Sequence, residues 1–235
     1  MNAGLVLGIE TSGKSTGLAL ATAGRVVAEL VEDSGCGHNE ALMLLLDRLL
    51  NDTGVSVSQL AGIGVDIGPG MFTSLRVGLS TAKGLAIAHR IPVVGLGSLW
   101  GLACTARPDL GRVLALINAR KQQVYAALYL EGEAAIPPSV MNPGELASAA
   151  VGVLSERTSL VAAGNGTGIC AAPFAAVGVR LDASGTEAPS AGVIAIEAGT
   201  RIAQARADDL ASLEPLYLRR TDAELNREQK LGSRH

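Results

Sequence analysis

The chain is poor in aromatic residues, cysteine, histidine and charge, and each shortage removes a class of explanation. Aromatics are 3% of its 235 residues: one Trp, three Tyr and two Phe. A core must therefore be filled by Ala, Val, Leu and Ile, packed closely without large rings. The three cysteines, Cys36, Cys104 and Cys170, are too few and scattered for a disulfide framework and form no Cys-x-x-Cys pair. They are expected as reduced, mostly buried hydrophobes of a cytoplasmic protein. His38, His89 and His235 are the only histidines, and no two share a helical face at a ligand spacing, so no metal site is expected. No serine stands in a Gly-x-Ser-x-Gly elbow and no cysteine has a basic flank, so no catalytic residue is assigned. Charged residues are 17% and the net charge is −3, which gives no sequence-wide attraction to RNA or anionic lipid. Contact with RNA would need a local basic patch or a partner that supplies one. Residues 1–4 carry no cationic stretch and the apolar run 5–9 stops at Glu10, so no secretory leader is expected. The longest uncharged stretch, 158–179, is long enough to span a bilayer. Gly164, Asn165, Gly166, Gly168 and Pro173 within it favour a strand, a glycine loop and a helix instead.

What the chain has in quantity is apolar residues, 48%, and 29 glycines, enough for a large core. Apolar runs at 5–9, 16–21 and 25–31 read as strands, the last two joined by a turn at Thr22-Ala23-Gly24. A helix over 39–51 with Asn39 as candidate N-cap, a strand over 60–67, a helix over 73–89, a strand over 92–96 and a short helix over 98–104 follow. A similar order restarts near Arg112: strands at 113–117 and 123–130, a helix from about Asn142, a strand at 160–163, a loop at 164–168 and a helix over 191–207. Such a duplication implies two related α/β halves around a cleft. The expected division is 1–106, 107–225 and a flexible tail at 226–235.

Three segments are candidates for function. Gly8-Ile9-Glu10-Thr11-Ser12-Gly13-Lys14-Ser15 satisfies the P-loop pattern, which requires a helix immediately after it. Gly17, Gly24 and the β-like residues between them speak against that helix. Glu10, Thr11 and Ser12 read better as an acidic–hydroxyl turn between two strands, able to hold a nucleotide or simply to close a hairpin. The second runs from Asp66 to Ala86, with Gly68-Pro69-Gly70 leading to Thr73 and Arg76: a tight turn permitted by the glycines and stiffened by Pro69, with Thr73 as candidate helix cap. Along that helix Gly78, Ala82 and Ala86 form a stripe nearly free of side-chain bulk, suited to close packing within the chain or against a partner. The third is the helix over 39–51. Its Leu42, Met43, Leu45, Leu46, Leu49 and Leu50 cover an arc of roughly 160°, with Leu44 outside it. That arc is broader than docking on one sheet needs, so part of it is a candidate partner interface. Burial of the whole helix in its own chain is the alternative.

The opening strands and the 62–102 block together resemble the bacterial TsaB (YeaZ) family of tRNA threonylcarbamoyladenosine synthesis. The resemblance is strongest at Gly68-Pro69-Gly70, Phe72-Thr73, Leu75-Arg76, Gly78 and Ala82-Lys83-Gly84-Leu85-Ala86, followed by Ile91-Pro92-Val93-Val94-Gly95 and Ser98-Leu99. His38, Glu40 and Leu42, Asn118-Ala119-Arg120, Val124-Tyr125, Gly164-Asn165-Gly166 and Pro215-Leu216-Tyr217-Leu218-Arg219 add to it. It implies a two-lobed actin-like fold, of the ASKHA and ribonuclease H-like kind, with duplicated mixed-sheet halves. It also implies a non-catalytic dimerisation subunit that joins a TsaD-like catalytic subunit and a TsaE-like ATPase in moving a threonylcarbamoyl group to the adenosine beside the anticodon. By the same resemblance the subunit needs no cofactor of its own, ATP, ADP or metal enters through the partners, tRNA is met indirectly, and the two helices pair with the TsaD-like subunit or with a second copy. The metal-binding His-x-x-x-His of the catalytic relatives is here His38-Asn39-Glu40-Ala41-Leu42, with one histidine. Glu10, Ser74 and Asn118 stand where relatives usually have Asp, Gly and Asp. The alternative is a self-sufficient nucleotide-dependent enzyme, an actin-like kinase or a P-loop NTPase.

Overall fold

The computed structural model describes residues 4–33, 38–155 and 159–219, with the backbone alone at 38–40. The expected tail at 226–235, Cys36 and the His38 side chain lie outside the described residues.

The first half runs β1 (Leu5–Glu10), β2 (Thr16–Thr22), β3 (Arg25–Glu32), α1 (His38–Thr53), β4 (Leu60–Gly68), α2 (Phe72–His89), β5 (Val93–Gly97) and α3 (Ser98–Ala106). The second runs β6 (Arg112–Asn118), β7 (Val124–Leu130), β8 (Glu133–Met141), α4 (Pro143–Val153), β9 (Ser159–Ala163), α5 (Thr167–Ala176), β10 (Arg180–Ala183) and α6 (Ala191–Ala203). The sheets have the orders β3-β2-β1-β4-β5 and β8-β7-β6-β9-β10, the same topology twice. In each, the first three strands form an antiparallel meander and the last two run parallel to the first. This is a duplicated, two-lobed actin-like α/β fold.

Alternation along the strands assigns the faces. Leu7 and Ile9 of β1 join the core beneath α1 and α2, whereas Val6 joins the one formed with Ile194, Ala195 and Ala198 of α6. In β6, Leu114 and Leu116 meet the α4 and α5 side, while Val113 and Ala115 meet Leu99, Leu102 and Ala103 of α3. Each half thus lends its last helix to the other's sheet or to the space between the sheets. Lobe membership departs from chain order at α3 and α6, and Trp100 on α3 packs against both inner cores. Glycine makes the α6 seat possible: a Cβ on Gly8 would overlap the Ala191 carbonyl oxygen, and one on Gly64 would press on Ala198 and Ile194. The N-terminus of α6 is held by Ser190, whose Oγ accepts the Val193 N–H, and by Glu29 of β3. The Glu29 carboxylate accepts the Ser190 Oγ–H at 2.8 Å and the Gly192 N–H at 3.1 Å, a favourable charge for a helix start.

Several expectations are corrected. Thr73 does not cap α2; Met71 stands at the N-cap, and Ser74 Oγ donates to the Met71 carbonyl at 3.0 Å. Leu42, Leu45, Leu46 and Leu49 are buried in the first lobe's core, so they are no free partner surface in the protomer. The apolar residues that α1 leaves outside are Met43 and Leu44, 52% and 71% exposed, with Leu50 half-buried. The Gly78, Ala82 and Ala86 stripe is also covered within the chain, a Cβ at Gly78 overlapping Thr11 Oγ1. Strands β8 and β10 were not anticipated: both are sheet-edge strands, β8 carries Pro137 and Pro138, which an edge tolerates, and β10 has four residues. The stretch from Ser159 onward forms β9, a loop and α5, and among the described residues no helix is long and apolar enough to cross a membrane.

Candidate functional site

Strands β1 and β4 run parallel and side by side, so their carboxyl ends open on one crevice, the place where α/β sheets bind ligands. Strand β1 ends in Glu10 and β2 starts at Thr16 with no helix between, which removes the P-loop context for Gly8–Ser15. The loop after β1 is instead clamped to the turn after β4. Met71 N–H donates to the Ser12 carbonyl at 2.8 Å, and a Cβ on Gly70 would lie 2.5 Å from that same oxygen, so only glycine permits the approach. Gly68 has φ +107, and the Gly68–Pro69 peptide is cis.

Behind this turn lie two buried carboxyls. Glu10 is 2% exposed, and its Oε1 accepts the Ser12 N–H at 2.7 Å and the Ser12 Oγ–H at 2.5 Å. Asp66 is fully buried; its Oδ1 accepts the Gly68 N–H at 2.7 Å and the Ser98 Oγ–H at 2.5 Å. Asp66 Oδ2 and Thr11 Oγ1 are buried without a hydrogen-bond partner. Burial, and then the charge of Asp66, push Glu10 up to about 8. Burial raises Asp66 to about 6 against the Ser98 and Gly68 hydrogen bonds that favour its charged form. Two carboxyls in one desolvated place hold a proton between them at neutral pH. Asp66 opens the segment that the sequence offers as its second candidate, but the sequence assigns it no role of its own, although its position two residues before the Gly68-Pro69-Gly70 turn is a usable signal.

In front of the turn a cleft of about 490 Å³ separates the lobes. It is lined from the first lobe by Ser12, Lys14, Phe72 and Thr73 and from the second by Asn118, Arg120, Tyr125, Asn165 and Glu187. Asn118 ends β6 as Glu10 ends β1, and its N–H donates to Asn165 Oδ1 at 2.8 Å while its own Oδ1 accepts the Arg120 N–H. The structure brings Ser12, Gly70 and Thr73 together on the cleft wall, keeps Glu10 and Thr11 buried behind it, and sets Arg76 on the outer rim. The segment after α6 crosses the same region. Asp208 Oδ2 accepts the Gly95 N–H, Leu216 N–H donates to the Ile67 carbonyl, and Arg219 donates to the Ala119 carbonyl of the second lobe. Among the described residues no three His, Cys, Asp or Glu side chains gather as metal ligands, and Cys104 and Cys170 are buried thiols pushed up to about 12 and about 11.

Comparison with known proteins agrees with this geometry. The family model described as TsaD, tRNA N6-adenosine threonylcarbamoyltransferase, matches residues 32–226. The tRNA threonylcarbamoyladenosine biosynthesis protein TsaB of Bacillus subtilis (strain 168) is 36% identical over 124 residues, 53% of this chain and 54% of that protein. TsaB of Escherichia coli (strain K12) is 32% identical over 130 residues, 54% of this chain and 56% of its own. The chain thus spans about half the length of the curated relatives it matches. YeaZ from Pseudomonas aeruginosa superposes with a TM-score of 0.74 at 27% identity, covering 92% of this chain and 100% of that one.

Proposed function

The chain belongs to the family of TsaD, tRNA N6-adenosine threonylcarbamoyltransferase, and from that membership we propose that it serves tRNA threonylcarbamoyladenosine synthesis as a non-catalytic scaffold and dimerisation subunit. It works in the cytoplasm beside a TsaD-like catalytic subunit and a TsaE-like ATPase, which move the threonylcarbamoyl group to N6 of the adenosine beside the anticodon. The similarity to TsaB and YeaZ chooses the pathway. One observation carries the non-catalytic role: the two strand ends that meet at the cleft offer an acid turned back onto its own loop, Glu10, and an uncharged amide, Asn118. A general acid, base or metal ligand must reach the reacting atoms; Glu10 is buried behind the cleft wall, and Asn118, which lines the cleft, carries neither an acid nor a base. ATP, ADP and metal accordingly act through the partners.

The face that meets the TsaD-like subunit or a second copy is formed by the exposed apolar residues of α1 and α2, Met43, Leu44 and Ile87. The leucines beneath them support it from the core. The rival reading, an actin-like enzyme acting alone on a nucleotide, draws on the cleft volume and its Lys14 and Arg120. Two assays separate them. The isolated chain is expected to turn over no ATP, and its association with the TsaD-like subunit is expected to weaken at least about tenfold in Leu44→Asp. ATP turnover that disappears with Lys14→Gln would instead establish the rival.

A further inference from the structure

Half of the aromatic residues in this aromatic-poor chain gather at the mouth of the cleft. Phe72 and Tyr125 line it, and Tyr217 lies against Phe72 with ring centroids 5.4 Å apart and planes 33° apart. The Arg76 guanidinium sits 3.7 Å from the Phe72 centroid and 5.7 Å from that of Tyr217, and its Nε donates to the Tyr217 hydroxyl at 2.9 Å. Phe72 and Tyr217 are each 44% exposed, although a chain so short of rings would be expected to use them inside. Lys14 and Arg120 continue the rim along the cleft. Among the described residues no carboxylate pairs with Lys14, Arg76 or Arg120, and Glu187 is the one acidic residue on the cleft wall. Arg120 opens a run of three non-glycine residues with positive φ, 61, 49 and 58 at Arg120, Lys121 and Gln122. That costly conformation is fixed by the Asn118 Oδ1 bond to the Arg120 N–H and by the Gln123 N–H bond to the Arg120 carbonyl.

We propose that this rim is an RNA-binding surface that takes an unpaired loop, with bases stacked on Phe72 and Tyr217 and phosphates held by Lys14 and Arg120. Rings interleaved with cations are what single-stranded RNA requires, because its unstacked bases offer flat faces that a duplex hides. Protein interfaces also use Tyr, Phe and Arg but are depleted of Lys, so Lys14 and Arg120 along an open cleft are what favour a phosphate-bearing occupant. With a net charge of −3, the chain repels RNA in general, and a local cationic rim specifies where it can approach. The choice of RNA rests on the tRNA-modification reading above, whereas the rings and cations stand without it.

The test uses the full chain and a fluorescent anticodon stem–loop RNA carrying adenosine on the 3′ side of the anticodon, followed by anisotropy over a salt series. Phe72→Leu and Tyr217→Leu are each expected to weaken binding about tenfold. Arg120→Gln and Lys14→Gln are each expected to reduce the slope of log K against log salt by about one. All four positions lie at the surface, and unchanged melting temperatures confirm intact folding. Binding within about twofold of the parent in all four variants would overturn the proposal. So would a blunt RNA duplex that binds as tightly as the stem–loop, or variants that lose the TsaD-like subunit while keeping RNA. Tests of reconstituted modification separate this from the functional reading. Modification that needs the chain, with variants that bind RNA and modify it as the parent does, overturns the rim alone. Modification that proceeds with the chain omitted overturns the functional reading, while anisotropy still decides the rim.

Discussion

Burial of Glu10 beside Asp66 ties the stability of the protein to pH through the protons these two carboxyls keep. The folded chain raises Glu10 from an ordinary 4.5 to about 8, so between those values it keeps a proton that the unfolded chain has released. The Glu10 contribution to stability is then present in full below about pH 4.5 and falls as pH rises toward about 8. Asp66, raised from 3.8 to about 6, adds to the fall over the lower part of the window. The urea midpoint should therefore decline across this range in the parent and decline less in Glu10→Gln, whose amide oxygen can still accept the Ser12 hydrogen bonds. A variant with the parent's slope would show that Glu10 titrates normally. At Gly8 the reason for the residue is steric. Gly8→Ala drives a methyl group into the Ala191 backbone, which no side-chain rotation relieves, and should cost about 1–3 kcal/mol or more by urea denaturation.

Within elements, α1 divides its apolar residues between two tasks that periodicity could not separate. Leu46 is core and Leu44 is surface. Leu46→Ala should destabilise the fold by about 2–5 kcal/mol. Leu44→Asp should change stability by no more than about 0.5 kcal/mol, which makes it the clean probe of partner binding. Equal losses of stability in the two variants would contradict this division. The leucine arc was legible in the sequence; which part of it met the chain's own sheet was not, because the width of an arc does not say how deep the helix sits. The glycine turn after β4 was legible for the same reason that it is built as it is, since only glycine brings Gly70 onto the Ser12 carbonyl. The cap was misplaced because Thr73 has the better capping chemistry, while the Met71–Ser12 clamp decides where the chain turns into α2. Strand β8 escaped notice because Pro137 and Pro138 argue against a strand unless its edge position is already known.

At the scale of the whole molecule, the repeat in the sequence announced two like halves but not the exchange of α3 and α6 between them. That exchange depends on contacts far apart in the chain: Gly8 with Ala191, Glu29 with Ser190, and Thr105 with Ser190. Local patterning carries no signal of such pairs. The buried Glu10 and Asp66 pair escaped for the same reason, since two carboxyls separated by more than fifty residues become neighbours only when β1 and β4 align. The arrangement places a sealed acidic pair at the back of the cleft, an aromatic and cationic rim at its mouth, and an apolar helix face to one side. These features are what the proposed role rests on, that of a subunit holding other molecules in position. The measurement that tests this most directly is threonylcarbamoylation of tRNA in a mixture of TsaD-like subunit, TsaE-like ATPase, threonylcarbamoyl adenylate and ATP, with this chain present or left out. The account predicts product only when the chain is present and none from the chain alone. Product formed equally well without it would contradict the account.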